Sequence, residues 1–209
     1  MAFDFSKVGE QFQFNCTQCA DCCSGDQTVL LNLYDLYKLA RHIKLPNTQL
    51  LFERKILVLK LDEENHVFRP QIRFKTKPLK FCPFLINEWT ENNQIKGWCQ
   101  LHPHAKPLVC ALSPVGIRLD SRQDQLEFLL VPPTSNCPGL KEPVIQSLEK
   151  YLQPYKREIE WQTDFFKILE ICKSKNWTAE DFKQELYTFP VLEPFEQILN
   201  QLRKNFEFA

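Results

Sequence analysis

Glycine is scarce in this chain, with five residues among 209. A dinucleotide-binding turn of the Rossmann type needs several glycines between a strand and a helix, and no such signature is present. No apolar run reaches the length of about 18 residues that indicates a membrane-spanning helix. The N-terminal stretch also lacks a basic segment followed by an apolar one. We therefore expect no secretory signal, no membrane partner and a cytoplasmic location.

An excess of positive charge is missing as well. The 26 basic side chains are balanced by 26 acidic ones, so the formal net charge is zero. A binding surface dominated by phosphate contacts would need a basic excess, and we therefore expect no nucleic-acid partner. Hydrophobic residues make up 44% of the chain. That fraction is enough for a folded core, and the length suits one domain with an appendage or two small domains.

Cysteine, in contrast, is abundant and clustered. Nine cysteines are present, and four of them fall within the short run NCTQCADCCSG. In a reducing compartment, clustered thiols bind metal more often than they form disulfides, and an odd count fits a disulfide framework poorly. We interpret eight cysteines as metal ligands. They are Cys16, Cys19, Cys22, Cys23, Cys82, Cys99, Cys110 and Cys137.

The spacing of these cysteines leaves the metal open. Zinc takes a tetrahedron of ligands, commonly from two C-x2-C pairs. A C-x2-C-x2-C run completed by a distant Cys-Pro, such as Cys82 or Cys137, is instead typical of bacterial ferredoxins. Eight thiolates can hold one cluster plus zinc, two mononuclear sites, or one centre with spare cysteines. Because neighbouring side chains point in different directions, Cys22 and Cys23 either share a cluster with widely spaced vertices or reach two centres.

Four further residues are alternative candidates for this site. His102 and His104 follow Cys99 closely, but eight cysteines already suffice, so we favour positions outside the ligand set. Lys106 either lies beside the thiolates, where its charge would offset theirs, or points into water. Cys172 falls at helical spacing in the run FFKILEIC and is expected in a core.

The pattern of apolar residues predicts an α+β fold. Two hairpins are predicted at 56–61 with 67–74 and at 115–119 with 126–131. Their turns are predicted at 62–65 and 120–125, and the cysteine–proline segments between the hairpins are predicted as loops.

Helical periodicity is strongest near residue 33 and after residue 141. A helix is predicted to begin after Asn32, with Asp35 completing a capping box, and to end before Pro46. Further helices are predicted at 47–54, 143–153, 154–174, 178–187 and 194–206. We place a small cysteine-rich metal-binding core with two short hairpins at 1–140, and a helical C-terminal region that packs on it at 141–209.

Together these motifs resemble the cysteine-cluster family named for C-x2-C-x2-C-C, also called YkgJ-type proteins, whose domain is described as zinc- or iron-chelating. The similarity covers roughly residues 14–140. It is carried by Cys16, Cys19, Cys22 and Cys23, by Cys82-Pro83-Phe84-Leu85, by Cys99 with Lys106-Pro107, Cys110 and Pro114, and by Cys137-Pro138-Gly139.

The chain departs from the family pattern at positions that usually carry arginine, where it has Lys106 and Ala111. The planar guanidinium binds carboxylate or phosphate in a way that lysine does not reproduce. The resemblance therefore implies the metal ligands but gives no support to an anion site.

Three functions follow as hypotheses. The resemblance implies a metal-binding protein that holds an iron–sulfur cluster, with [4Fe–4S] favoured, or zinc, and acts in redox chemistry or metal handling. Distant relatives among the flagellin lysine N-methylases imply a methyltransferase-like enzyme that uses an iron–sulfur centre and S-adenosylmethionine. The third hypothesis is a structural zinc domain whose helical region mediates protein contacts. The sequence identifies no catalytic residue and no protein partner.

Overall fold

The computed structural model describes residues 7–63, 65–77, 80–92, 95–120 and 125–207. Helices and small antiparallel sheets are both present, so the α+β prediction is confirmed, as is the helical C-terminal region. The helices are α1 (Leu33–His42), α2 (Gln49–Glu53), α3 (Leu108–Ala111), α4 (Leu148–Leu152), α5 (Lys156–Cys172), α6 (Ala179–Glu185) and α7 (Phe195–Asn205). The strands are β1 (Gln11–Gln13), β2 (Leu57–Asp62), β3 (Val67–Ile72), β4 (Leu85–Trp89), β5 (Ile95–Cys99), β6 (Val115–Asp120), β7 (Gln125–Leu130) and β8 (Ile145–Ser147). Within these ranges, no helix is both long enough and apolar enough to cross a membrane.

Both predicted hairpins are present. Strand β2 pairs with β3 from Leu57↔Ile72 to Asp62↔Val67, and β6 pairs with β7 from Val115↔Leu130 to Asp120↔Gln125. Residue 64 of the first predicted turn and residues 121–124 of the second lie outside the described residues.

Two strand pairs depart from the prediction. Strands β4 and β5 form a third hairpin with Leu85 opposite Cys99, so the prediction of loops throughout the cysteine–proline segments is wrong there. Aromatic and branched residues suit a pleated strand even where polar residues interrupt them.

Strand β1 pairs with β8, which occupies Ile145–Ser147. The helix predicted at 143–153 therefore begins only at Leu148, because this tertiary pairing overrides the local helical pattern.

The chain folds into two compact units. Unit 1 comprises Met1–Gln27, Phe74–His102 and Leu108–Ile159, and unit 2 comprises Thr28–Arg73, Pro103–Pro107 and Glu160–Ala209. All eight candidate ligand cysteines belong to unit 1, whereas Cys172 belongs to unit 2.

The core of unit 1 includes two small clusters. Phe12, Phe14 and Val115 form one, and Leu108, Leu112 and Ile159 form the other. Tyr151 and Leu152 pack against both clusters. The Tyr151 ring meets Phe12 edge to face, with ring centroids 5.1 Å apart.

Unit 2 has a larger, aromatic core. Helix α1 begins with the predicted capping box, in which Asp35 N donates to Asn32 Oδ1 at 2.7 Å and Asn32 N donates to Asp35 Oδ2 at 3.1 Å. The core includes the fully buried side chains Leu31, Leu36, Phe165, Phe182 and Tyr187. Helix α6 also begins with the predicted motif, since Thr178 and Asp181 cap each other.

A buried hydroxyl in unit 2 gives the first testable prediction. Thr48 is inaccessible to solvent; its Oγ1 donates to the Tyr187 carbonyl at 2.7 Å and accepts from Phe189 N at 2.9 Å. Thr48→Val keeps the shape but leaves these buried backbone groups unpaired, so we expect a loss of about 1–3 kcal/mol in the free energy of unfolding. Urea denaturation measures it. Thr48→Ser, which keeps the hydroxyl, should lose less, and a Thr48→Val variant as stable as the parent would contradict the prediction.

Candidate metal centre

The eight candidate cysteines differ in exposure. Cys16, Cys19 and Cys22 are exposed, Cys82 is buried, and the other four are half-buried. All nine cysteines of the chain lie in described residues, and none is joined in a disulfide. Cys172 is 1% exposed, which confirms its predicted core position, and burial raises its pKa to about 12.

The first cysteine motif forms a tight loop. Gln18 and Ala20 adopt left-handed backbone angles, with φ of 59° and 66°, and Asp21–Cys23 forms one turn of 3-10 helix. This turn places the Cys22 and Cys23 sulfurs 4.0 Å apart. Two thiolates on one tetrahedral zinc, each at about 2.3 Å from the metal, are about 3.8 Å apart. The neighbouring cysteines, which we expected to diverge, therefore lie at the spacing of two ligands of one centre.

The loop is held by backbone hydrogen bonds to the segments that carry two other cysteines. Cys82 N donates to the Cys23 carbonyl at 2.7 Å, and Gly97 N on β5 donates to the Gln18 carbonyl at 2.9 Å. Cys99 ends the same strand. We call Cys22, Cys23, Cys82 and Cys99 the hairpin set, because they lie on the β4–β5 hairpin or on segments that are hydrogen-bonded next to it.

Two thiols of the hairpin set influence a third, Cys82. Burial raises the pKa of Cys82 to about 11, and the nearby charges of Cys99 and Cys22 add to this rise, while the Phe84 N–H lowers it. Several thiolates in a partly buried site repel one another, and a cation at their centre would remove that repulsion. Because thiols must lose their protons to bind metal, loading of this set should weaken as the pH falls.

Three other cysteines lie on segments that contact Tyr151 or the apolar cluster against which it packs. The Tyr151 hydroxyl donates to the Ser113 carbonyl at 2.7 Å. Ser113 lies three residues after Cys110 in the chain. Cys137 packs against the same buried cluster as Tyr151. Burial raises the pKa of Tyr151, and the charges of Tyr155 and Cys16 add to the rise. We call Cys16, Cys110 and Cys137 the Tyr151 set.

Cys19 belongs to neither set. Its neighbours Gln18 and Ala20 both lie against Gly97. Burial raises the pKa of its thiol, the Asp21 N–H lowers it, and the Asp21 charge raises it.

Two threonine hydroxyls beside these cysteines are buried without a hydrogen-bond partner. Thr17 Oγ1 interacts with the Cys19 thiol closely enough to lower its pKa but makes no hydrogen bond of normal geometry, and Thr134 Oγ1 is likewise unpaired. Thr134 precedes Cys137, whose N–H donates to the Thr134 carbonyl at 3.3 Å. A buried hydroxyl without an acceptor is costly, and metal-bound thiolate sulfur would provide one. The donor chemistry of this region therefore fits a metal–thiolate group. The sequence analysis does not single out either threonine, although Thr17 stands inside the cysteine run.

The sulfur atoms of the candidate cysteines are not all at the distances that ligands of one metal ion take. Among the described residues, no group of three or more His, Cys, Asp or Glu side chains is already arranged to hold a metal ion. His102 and His104 are exposed, and His102 N donates to the Cys99 carbonyl at 3.0 Å. Lys106 lies in the unit 2 segment Pro103–Pro107, where its carbonyl accepts from Lys38 Nζ at 2.9 Å.

A substitution at Gly97 tests whether strand β5 supports the cysteine loop. A Cβ atom at Gly97 would overlap Ala20 Cβ and lie 3.1 Å from Leu85 Cδ1. We expect Gly97→Ala to push the loop away from β5 and to lower metal content at least several-fold, with little change in the far-ultraviolet circular dichroism spectrum. Gly9→Ala is the matched control, because the nearest atom to its new Cβ is 3.7 Å away. Full metal content in Gly97→Ala would show that the contact is not needed.

Comparison of the chain with protein-family models, with curated proteins and with solved structures finds no match. The similarity to the C-x2-C-x2-C-C family therefore rests on the cysteine spacing and stays a prediction.

Proposed function

We propose that unit 1 is a metal-binding module that draws its ligands from the eight cysteines and holds an iron–sulfur cluster, zinc or both. One observation carries the proposal. Cysteines from separate stretches of the chain belong to one compact unit, and its cysteine loop holds two sulfurs 4.0 Å apart. Thiolates at this density are the ligands that soft metal centres take.

Iron–sulfur binding is preferred over zinc for this site. The C-x2-C-x2-C run followed by a Cys-Pro at Cys82 matches the ferredoxin type of ligand spacing. A bound cluster would supply one-electron transfer, which gives the module a role in redox chemistry, and zinc would supply a closed structural site or a metal-handling role. The partly exposed cysteines suit exchange with a partner or with solvent, since Cys16, Cys19 and Cys22 reach the surface.

The methyltransferase hypothesis lacks a comparable observation. A surface depression of about 180 Å³ in unit 1 is lined by Lys7, Glu127 and Leu148 among others, and none of the cysteines lines it. If calorimetry detects binding of S-adenosylmethionine to the metal-loaded chain, this hypothesis would be restored.

Anaerobic purification of the full chain tests the proposal. Iron, zinc and acid-labile sulfide are measured per chain, together with the absorption spectrum. We expect brown protein with near-equal iron and sulfide that dithionite bleaches. Colourless protein with zinc and no sulfide would replace the cluster by a structural or zinc-chelating site, and protein that takes up neither metal would contradict the proposal.

A further inference from the structure

We propose that Cys22 and Cys23 are a reversible redox couple, which a small-molecule disulfide converts into a disulfide between the two neighbouring residues. The step needs these two thiols only, so the inference goes beyond the proposed metal-binding function and does not rest on it. Both residues are thiols in the structure.

The geometry of this pair carries the proposal. The two sulfurs are 4.0 Å apart, and bond formation brings them to about 2.05 Å. Among the described residues, no group of three or more His, Cys, Asp or Glu side chains is arranged to hold a metal ion. A reaction that uses two sulfurs therefore fits the loop as it stands, because it needs no third side chain.

The backbone holds Cys23 in place and leaves Cys22 at the surface. Cys23 N donates to the Ala20 carbonyl at 2.8 Å, and the Cys23 carbonyl accepts from Cys82 N at 2.7 Å. Cys22 is exposed and Cys23 is half-buried. The exposed Cys22 side chain therefore moves toward a partner whose backbone is fixed on both sides.

The difference in exposure sets the order of the two chemical steps. The Cys22 thiolate attacks one sulfur of the small disulfide, whose S–S bond breaks, so that a mixed disulfide forms and one small thiolate leaves. The Cys23 thiolate then attacks the Cys22 sulfur, the protein disulfide forms, and the second small thiolate leaves. Both thiol protons end on the small thiols, and two electrons pass from the cysteine pair to the small disulfide. The second step is intramolecular between adjacent residues and is therefore favoured over attack by another thiol.

The resulting bond is easy to reduce again. The peptide between Cys22 and Cys23 is trans, so their Cα atoms are about 3.8 Å apart. Most disulfides join Cα atoms about 4.4–6.8 Å apart, and departures from this geometry store strain that favours reduction. Strained or exposed disulfides are the labile ones that serve regulation. The pair therefore suits a reversible modification rather than a permanent cross-link.

Metal release is a further consequence, and this consequence alone rests on the proposed metal-binding function. Metals bind thiolate sulfur, and a disulfide between Cys22 and Cys23 removes two thiolates from the candidate ligands. Metal content should therefore fall in proportion to the fraction of chains that are oxidised at this pair, and it should recover on reduction.

The sequence around the pair allows a direct test on the full chain. A protease that cleaves before aspartate cuts at Asp21 and Asp26 and releases residues 21–25, in which Cys22 and Cys23 are the only cysteines. A disulfide between these two stays within the fragment, whereas a disulfide to any other cysteine joins two fragments. Mass spectrometry after alkylation therefore distinguishes the two cases.

The chain is equilibrated with oxidised glutathione, both as purified anaerobically and after a chelator has removed metal. We expect most of the 21–25 fragment to lack two hydrogen atoms and to carry no alkyl group, and this state should be reached sooner after metal removal. Reduced glutathione should restore both thiols. Cys172 is the internal control, since it is buried in unit 2 and should stay reduced.

Two comparisons show whether the loop and both thiols are needed. In Cys23→Ser, the fragment should carry one glutathione, because the second step has lost its thiol. In the parent chain unfolded by urea, the internally oxidised fraction should be at least several-fold lower than in the chain as purified, because the turn no longer holds the two sulfurs together.

The outcomes distinguish this inference from the proposed function. The redox couple is overturned by a 21–25 fragment that keeps two thiols in both preparations, carries glutathione on each cysteine or is joined to another fragment. An equal yield in the unfolded chain overturns it too, because the loop would then contribute nothing. A chain that forms the disulfide but binds no metal contradicts the proposed function alone, and a chain that binds metal but never forms the disulfide contradicts the redox couple alone.

Discussion

Stripping the metal from the full chain with a strong chelator is expected to destabilise unit 1 far more than unit 2. Metal binding adds directly to folding free energy, on the order of 10 kcal/mol in small zinc fingers. Unit 1 has little else to replace it, since most of the largest fully buried side chains among the described residues lie in unit 2, and the apolar clusters around Phe12 and Leu108 are small. Small cores of this kind are commonly supplemented by metals or disulfides.

Hydrogen exchange followed by mass spectrometry measures this difference. After metal removal, amides of the cysteine loop and of the β4–β5 hairpin should lose protection, whereas those of α1 and α7 should keep it. Readdition of the metal should restore the pattern. An equal loss of protection in both units, or no change in either, would contradict a folding role for the metal.

The second large effect is expected from truncation of the unit 2 core. Phe165 is fully buried. The centroids of its ring and the Tyr187 ring are 6.3 Å apart, and the Arg69 guanidinium carbon lies 5.9 Å from the centroid of the Phe165 ring. Phe165→Ala removes the ring and leaves a cavity in a close-packed interior, so we expect a loss of about 3–5 kcal/mol in the free energy of unfolding.

Denaturation in urea measures the effect on Phe165→Ala, and Phe165→Leu serves as the matched control because it fills most of the cavity. We expect the control to lose clearly less stability. Metal content per folded chain should stay at the parent level in both variants, because the cysteine ligands lie in unit 1. A loss below about 1 kcal/mol in Phe165→Ala would show that the ring contributes little to the core.

Features encoded by neighbouring residues were predicted well. Helix α1 begins where Asn32 and Asp35 complete a capping box, and α6 begins at the equivalent pair Thr178 and Asp181. The β2–β3 and β6–β7 hairpins were also found, since branched and aromatic residues alternate on either side of a polar turn. All of these signals lie within a few residues of the element that they specify.

Features that depend on distant residues were not predicted. Strand β8 exists because β1 pairs with it, although the two are far apart in the chain. The two units are each assembled from three segments, which no change in composition reveals. One local feature was also missed: the 4.0 Å spacing of the Cys22 and Cys23 sulfurs follows from a 3-10 turn that begins after left-handed Ala20, a conformation that alanine rarely adopts.

The central claim is that sulfur of the unit 1 cysteines binds a metal, and X-ray absorption at the metal edge of the anaerobically purified chain tests it most directly. The account predicts sulfur neighbours at about 2.3 Å from the metal. These neighbours should diminish in Cys99→Ala and remain in Cys172→Ala. A first shell made only of nitrogen or oxygen at about 2.0–2.2 Å would contradict the account.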